Sequence, residues 1–174
     1  AGVVTIANAP TPLVEEVNIG GVKNVLEAAR RTGVDRLVHV SSVHALPPVE
    51  AVLTETDRPE DFAAGNVEGA YAKSKAAATR LVLEADDLWR AVVFPTGIIG
   101  PNDFGDTHLT RLVRDTASGA LPVSVAGGYD FVDVRDVASA VIAAAQRGRN
   151  GRGYLLSGHY SPAWKMTSSV AAAT

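Results

Sequence analysis

Short apolar runs alternate with longer stretches of helical spacing along these 174 residues, and this alternation limits the fold more than any other feature. Residues 2–6, 36–40, 90–94 and 153–156 are apolar and bounded by turn-forming or charged residues, which reads as strands. Residues 122–125 and 130–132 are shorter strand candidates. Between the first two runs, residues 12–32 repeat Leu13, Val17, Val25 and Leu26 at helical spacing. They stop at Gly33, a residue suited to the left-handed conformation that ends many helices. Residues 67–86, 107–117 and 134–147 read as further helices, the last with Asp133 as N-cap and Asp136 in its first turn. Strands that alternate with helices of this length build βαβ units. The expectation is an α/β fold, a doubly wound parallel sheet with helices on both faces.

Composition narrows the chemistry. Sixteen Lys plus Arg against nineteen Asp plus Glu leave a formal charge of −3, without the basic excess of a nucleic-acid binder. With 47% hydrophobic and 20% charged residues, the chain can bury a core and is not a disordered segment. The absence of cysteine excludes disulfides, thiolate catalysis and Cys-based metal centres. His39, His44, His108 and His159 lack metal-ligand spacing, so no metal site is expected. No apolar run approaches about 18 residues and no basic n-region opens the chain, so neither a membrane span nor a signal peptide is read. These features point to a cytoplasmic protein acting on a small molecule through side-chain acid/base chemistry or an organic cofactor.

Three segments carry residues suited to that chemistry. Tyr71-Ala72-Lys73-Ser74-Lys75 places a phenol and an ammonium four residues apart, on one face of a predicted helix. A free phenol has a pKa of about 10, and a nearby cation lowers it by roughly 1–3 units, toward a value useful in proton transfer. The same spacing also describes a solvated helix face. Ser41 and Ser42 follow the run 36–40, and the carboxyl ends of parallel strands are where α/β sheets build ligand sites. A hydroxyl there suits a bond to a substrate oxygen, or simply the start of a turn. His39 reads as a packing residue inside the strand, and His44 lies in the loop beyond. Pro95-Thr96-Gly97-Ile98-Ile99-Gly100-Pro101 follows the third strand, with glycines that let backbone approach a flat ligand.

Together with 17–29 (Val17-Asn18-Ile19-Gly20-Gly21 onward) and Phe131-Val132-Asp133-Val134-Arg135-Asp136, these segments stand in an order that resembles the extended short-chain dehydrogenase/reductase family. This family is also called the NAD-dependent epimerase/dehydratase family. Within it, the stretch after Pro95 and the run Tyr154-Leu155-Leu156-Ser157-Gly158 look most like dihydroflavonol-reductase-like members. The resemblance implies a Rossmann-like fold and NAD or NADP as cofactor. It implies Ser42, Tyr71 and Lys75 as the catalytic set, with Lys75 also holding the nicotinamide ribose. Ala7, Asn18, Ser41, Pro95, Thr96 and Ile98, together with Tyr71 and Lys75, become neighbours of the cofactor. It also implies a homodimer, formed where helices 12–32 and 67–86 pair across a two-fold axis.

The family's glycine-rich G-x-x-G-x-x-G turn is absent from these residues, and 2–6 resembles the family's fourth strand. The chain is therefore expected to represent part of a longer protein. Residues 1–101 read as the later half of the dinucleotide domain, 102–130 as a substrate-region segment, and 131–158 as a return to the sheet. Residues 159–174 read as the start of a C-terminal substrate region. Functionally the resemblance implies an oxidoreductase that reduces a carbonyl or oxidises a secondary alcohol. The alternatives are a nucleotide-sugar epimerase or dehydratase and, outside catalysis, a dinucleotide-sensing regulator.

Overall fold

Thr11 starts the first helix by accepting the Val14 amide on its Oγ1 at 3.4 Å, with Pro12 at the first helical position. The helical backbone then runs from α1 (Pro12–Glu15) through one turn of π-helix, Glu16–Gly20, into α2 (Gly21–Thr32). Gly33 ends it at φ +64° with its amide on the Ala29 carbonyl, the cap expected from the sequence. The structure, a computed structural model, describes residues 2–5, 9, 11–49, 52–105, 107–120 and 126–173. It divides the chain into two compact units: Ala1–Pro95 with Ala140–Leu155, and Thr96–Ser139 with Leu156–Thr174.

In the first unit, β1 (Leu37–Val40) pairs in parallel with β2 (Arg90–Pro95), Leu37 opposite Arg90 and Val40 opposite Val93. The strand β5 (Arg152–Leu156) completes the order β1-β2-β5. Ala91, Val92, Val93 and Phe94 are all fully buried, so both faces of β2 are covered, as a central strand of a parallel sheet requires. Phe62, from the 3₁₀ turn Pro59–Phe62, stacks on Phe94 with ring centroids 5.6 Å apart. Gly153 of β5 is a glycine for lack of space. A Cβ there would lie 2.6 Å from the Thr56 carbonyl oxygen and 2.7 Å from the Phe94 ring. The helix α3 (Ala70–Leu83) is shorter than the range 67–86 because Gly69 sits at φ +85° and Val67 is extended, so the helix cannot begin before Ala70. Buried Ala70, Ala72, Ala76 and Ala78 let α3 approach its neighbours closely.

The expected strand at 2–6 is corrected by the structure: residues 2–5 form no strand, and Ile6 lies outside the described residues. The Val3 amide and carbonyl are instead taken by the side chain of Asn18, at 2.8 and 2.9 Å.

The second unit holds a three-stranded sheet of order β3-β4-β6: β3 (Gly97–Ile99), β4 (Gly128–Asp133) and β6 (His159–Pro162). Here β3 and β4 are parallel and β4 and β6 antiparallel. That sheet is mixed, and the antiparallel strand was not legible in the sequence. Asp130 ties it together, accepting from the Thr96 hydroxyl at 2.7 Å and from the Ser157 hydroxyl and Gly158 amide at 3.0 Å. The helices α4 (His108–Ala117) and α6 (Ala163–Ala172) belong to this unit. The helix α5 (Val134–Arg147) starts at Asp133, whose carboxylate accepts the Arg135 amide at 2.8 Å, as an N-cap does. The strand candidate 122–125 lies outside the described residues. No helix among the described residues is long and apolar enough to cross a membrane, and none of their acidic or His side chains cluster as metal ligands.

Candidate active site

The carboxyl end of β1 delivers two serines with different partners. The Ser41 amide donates to the Val93 carbonyl at 2.9 Å, one step beyond the strand ladder, and its hydroxyl shares a 2.6 Å hydrogen bond with Thr79 of α3. Ser42, also buried, is extended at φ −163° and starts the 3₁₀ turn Val43–Ala45, its Oγ accepting the His44 amide at 3.3 Å. It also hydrogen-bonds the phenol of Tyr71. Tyr71 stands in the first turn of α3 and Lys75 one turn further on, so β1 and α3 bring the three sequence-predicted residues into one region of the first unit. Lys75 Nζ donates to the Val40 carbonyl at 2.8 Å.

Burial raises the Tyr71 phenol above its ordinary pKa, and the Ser42 hydrogen bond pulls it only part of the way back. The sequence spacing led us to expect a phenol lowered by Lys75. The structure corrects this: the ammonium is directed to a backbone carbonyl, and desolvation lowers its own pKa in turn. At neutral pH the phenol is therefore protonated, a state suited to giving a proton rather than taking one.

Behind this pair lies a tie that sequence reasoning missed. Asn18, buried in the π-helical turn, donates through Nδ2 to Ser74 Oγ at 2.9 Å, and Ser74 Oγ donates to the Tyr71 carbonyl at 2.7 Å. With both Val3 bonds added, both Nδ2 hydrogens and one acceptor place on Oδ1 of Asn18 are engaged with protein. Ser74 sits three residues after Tyr71, the i, i+3 spacing at which a serine can bond back to its own helix. That spacing was its signal in the sequence.

His39 occupies the middle of β1, with its Nε2 buried and lacking a partner among the described residues. Burial and then the charge of Lys75 lower its pKa to about 3, so it is neutral. Lys75 and His39 both line a cavity of about 610 Å³ between α2 and β1, together with Asn18, Val22 and Val38. Pro95 is buried at the end of β2. Thr96 and Ile98 belong to the second unit, where Thr96 is bonded to Asp130 and Ile98 is 39% exposed on β3. Ala7 lies outside the described residues.

A profile of the NAD dependent epimerase/dehydratase family matches residues 1–157. Sterol demethylase protein B of Methylococcus capsulatus is 33% identical over 148 residues, 83% of this chain and 44% of that protein. A Synechocystis protein provisionally named dihydroflavonol 4-reductase is 32% identical over 137 residues, 76% of this chain and 39% of that protein. Among solved structures, MoeE5 in complex with UDP-glucose and NAD superposes with a TM-score of 0.77 at 26% identity, covering 100% of this chain and 60% of that one. The chain thus spans less than half the length of the two relatives.

Proposed function

The chain belongs to the NAD-dependent epimerase/dehydratase family, and from that premise we propose that its protein is an NAD(P)-dependent oxidoreductase that reduces a carbonyl, or oxidises the matching secondary alcohol, through Ser42, Tyr71 and Lys75. The observation that carries this reading is the approach of Tyr71 and Lys75 of α3 to the carboxyl end of β1, where Ser42 stands and Lys75 Nζ meets the Val40 carbonyl at 2.8 Å. In the reductive direction, negative charge develops on the substrate oxygen. Tyr71 Oη donates its proton there, and Ser42 hydrogen-bonds the same oxygen and holds it in line.

The residues fit a nicotinamide ribose. Lys75 has three N–H donors, of which the described residues take one, and it lines a cavity together with Asn18 and His39. When bound, the nicotinamide supplies or accepts the hydride. Lys75 is proposed to hold the ribose hydroxyls, with Ala7, Asn18, Ser41 and Pro95 as further neighbours of the cofactor. The relative named as a reductase supports carbonyl reduction, and the one named for sterols supports a bulky, apolar substrate. MoeE5, solved with UDP-glucose and NAD, supports sugar-nucleotide epimerisation as the second reading. Against that reading, Ser42 is followed by Val43-His44 rather than the Tyr-Gly of epimerases or the acidic pair of dehydratases. Retention of both Tyr71 and Lys75 argues against a purely regulatory role.

The test is turnover by the full-length protein with both dinucleotides, against a ketone panel and UDP-sugars. Net cofactor oxidation with a ketone supports the reductase, and sugar interconversion without net cofactor change supports the epimerase. Tyr71→Phe is expected to lower kcat by about 10²–10⁴-fold with little change in cofactor affinity. Lys75→Ala is expected to impair both turnover and cofactor binding, and Ser42→Ala to cost less than Tyr71→Phe. Near-full activity in Tyr71→Phe would refute the assignment.

A further inference from the structure

His44 stands beside the proposed reacting pair without a role in it. Its backbone is held by Ser42, whose Oγ accepts the His44 amide at 3.3 Å within the 3₁₀ turn Val43–Ala45. The imidazole stands edge-on to the Tyr71 ring, with centroids 6.2 Å apart and planes at 73°. The rest of the turn points inward: Ala45 is fully buried and Val43 packs against the core, while His44 is exposed. The ring therefore lies where the phenol meets solvent.

We propose that His44 is the substrate-side wall of this site: its ring shields an edge of the Tyr71 phenol from water and limits the size of the group carried by the reacting carbon. The proposal rests on the reading of Tyr71 as proton donor. A substrate whose oxygen reaches both Ser42 and Tyr71 must enter from solvent, because Ser42 is itself buried and the far side of the helical turn is closed by the Asn18–Ser74 tie. The substituent on its carbonyl carbon then passes His44. Desolvation lowers the pKa of His44, so a neutral imidazole stands there at pH 7 and favours an uncharged substituent over an ionic one. The ionisable groups on the facing helix are Tyr71, Lys73, Lys75 and, further along, Arg80, of which Tyr71 carries the ring that meets His44. A ketone whose substituent on this side is small and uncharged is the class of substrate this wall suits, and an aryl group there is the one it turns away.

Two measurements on the full-length protein test the wall. The first is ultraviolet titration of the Tyr71 phenol, isolated as the difference between each protein and its Tyr71→Phe counterpart. In His44→Ala and His44→Gln water reaches the phenol, and its titration is expected to move down toward the ordinary value of about 10. His44→Phe restores a ring and is expected to keep the parent titration. Far-ultraviolet circular dichroism identifies variants that keep the fold. The second is the ratio of kcat/KM for acetophenone to that for acetone, expected to rise about tenfold or more in His44→Ala and to stay near the parent ratio in His44→Phe. An unmoved Tyr71 titration in both His44→Ala and His44→Gln overturns the proposal, as does an unchanged ketone ratio in an active enzyme. The titration needs no turnover, so it separates failure of the wall from failure of the proposed reaction, which Tyr71→Phe decides.

Discussion

Two half-buried groups, His39 and Lys75, set the electrostatic character of the first unit's open groove, and desolvation pushes both toward their neutral forms. For His39 the consequence is a defined pH dependence of stability. Its folded pKa of about 3 lies below the ordinary value of about 6.5. Between those values the unfolded chain binds a proton that the folded chain refuses, so stability falls as pH drops from about 6.5 toward 3. The slope attributable to this residue is at most about 1.4 kcal/mol per pH unit. Urea unfolding at pH 7 and pH 5 should show His39→Val losing less stability on acidification than the parent. An identical loss in both proteins would mean that His39 is protonated freely in the folded state. A carboxylate held below its ordinary range acts in the same sense, at lower pH. Hydrogen bonds from Thr110 and Thr107 hold Asp103 at about 2, so its contribution at the start of α4 is complete above the ordinary carboxylate range and is lost as the pH falls from about 3.9 through 2.

At the level of elements, the π-helical turn is what lets one asparagine serve three segments. The wider turn falls where Asn18 reaches both the extended backbone at Val3 and Ser74 on α3. Asn18→Ala leaves a backbone donor and acceptor at Val3 without their protein partner and breaks the bond to Ser74. The expected loss is about 1–3 kcal/mol of stability, read as a lower urea midpoint with an unchanged slope. Hydrogen exchange at the Val3 amide should quicken in the same variant. A wild-type midpoint in Asn18→Ala would show that water replaces the amide at no cost. The sequence marked Asn18 through its family segment, but its partners lie 15 and 56 residues away and carry no local signal.

At the level of the whole molecule, the structure separates apolar residues that the sequence left undivided between core and interface. Val22 and Leu81 pack against the core, whereas Val25 is 57% and Leu13 58% exposed on the α1–α2 surface. We propose that this surface pairs with a second copy in a homodimer. Sedimentation of the full-length protein at micromolar concentration should give twice the chain mass, and Val25→Lys should shift it toward the monomer. A monomeric parent protein would exclude this pairing.

Repeating apolar patterns determined most of the secondary structure: α5 spans the same residues, Val134–Arg147, that its periodicity marked, and Gly33 and Asp133 fall on the caps their side chains favour. The order of the segments likewise determined the family, because Ser42, Tyr71 and Lys75 lie in contiguous runs that keep their identity without any knowledge of contacts. Tertiary structure decided what each group does in its surroundings. The direction of the Tyr71 pKa shift depended on burial and on where the Lys75 ammonium found a carbonyl, and spacing along one helix specifies neither. Residues 2–5 had a strand's composition but form no strand, and Asn18 takes the Val3 amide and carbonyl that a ladder would have used. Local pattern encodes which conformation a segment prefers. Which partner satisfies each polar group is set only when distant segments meet.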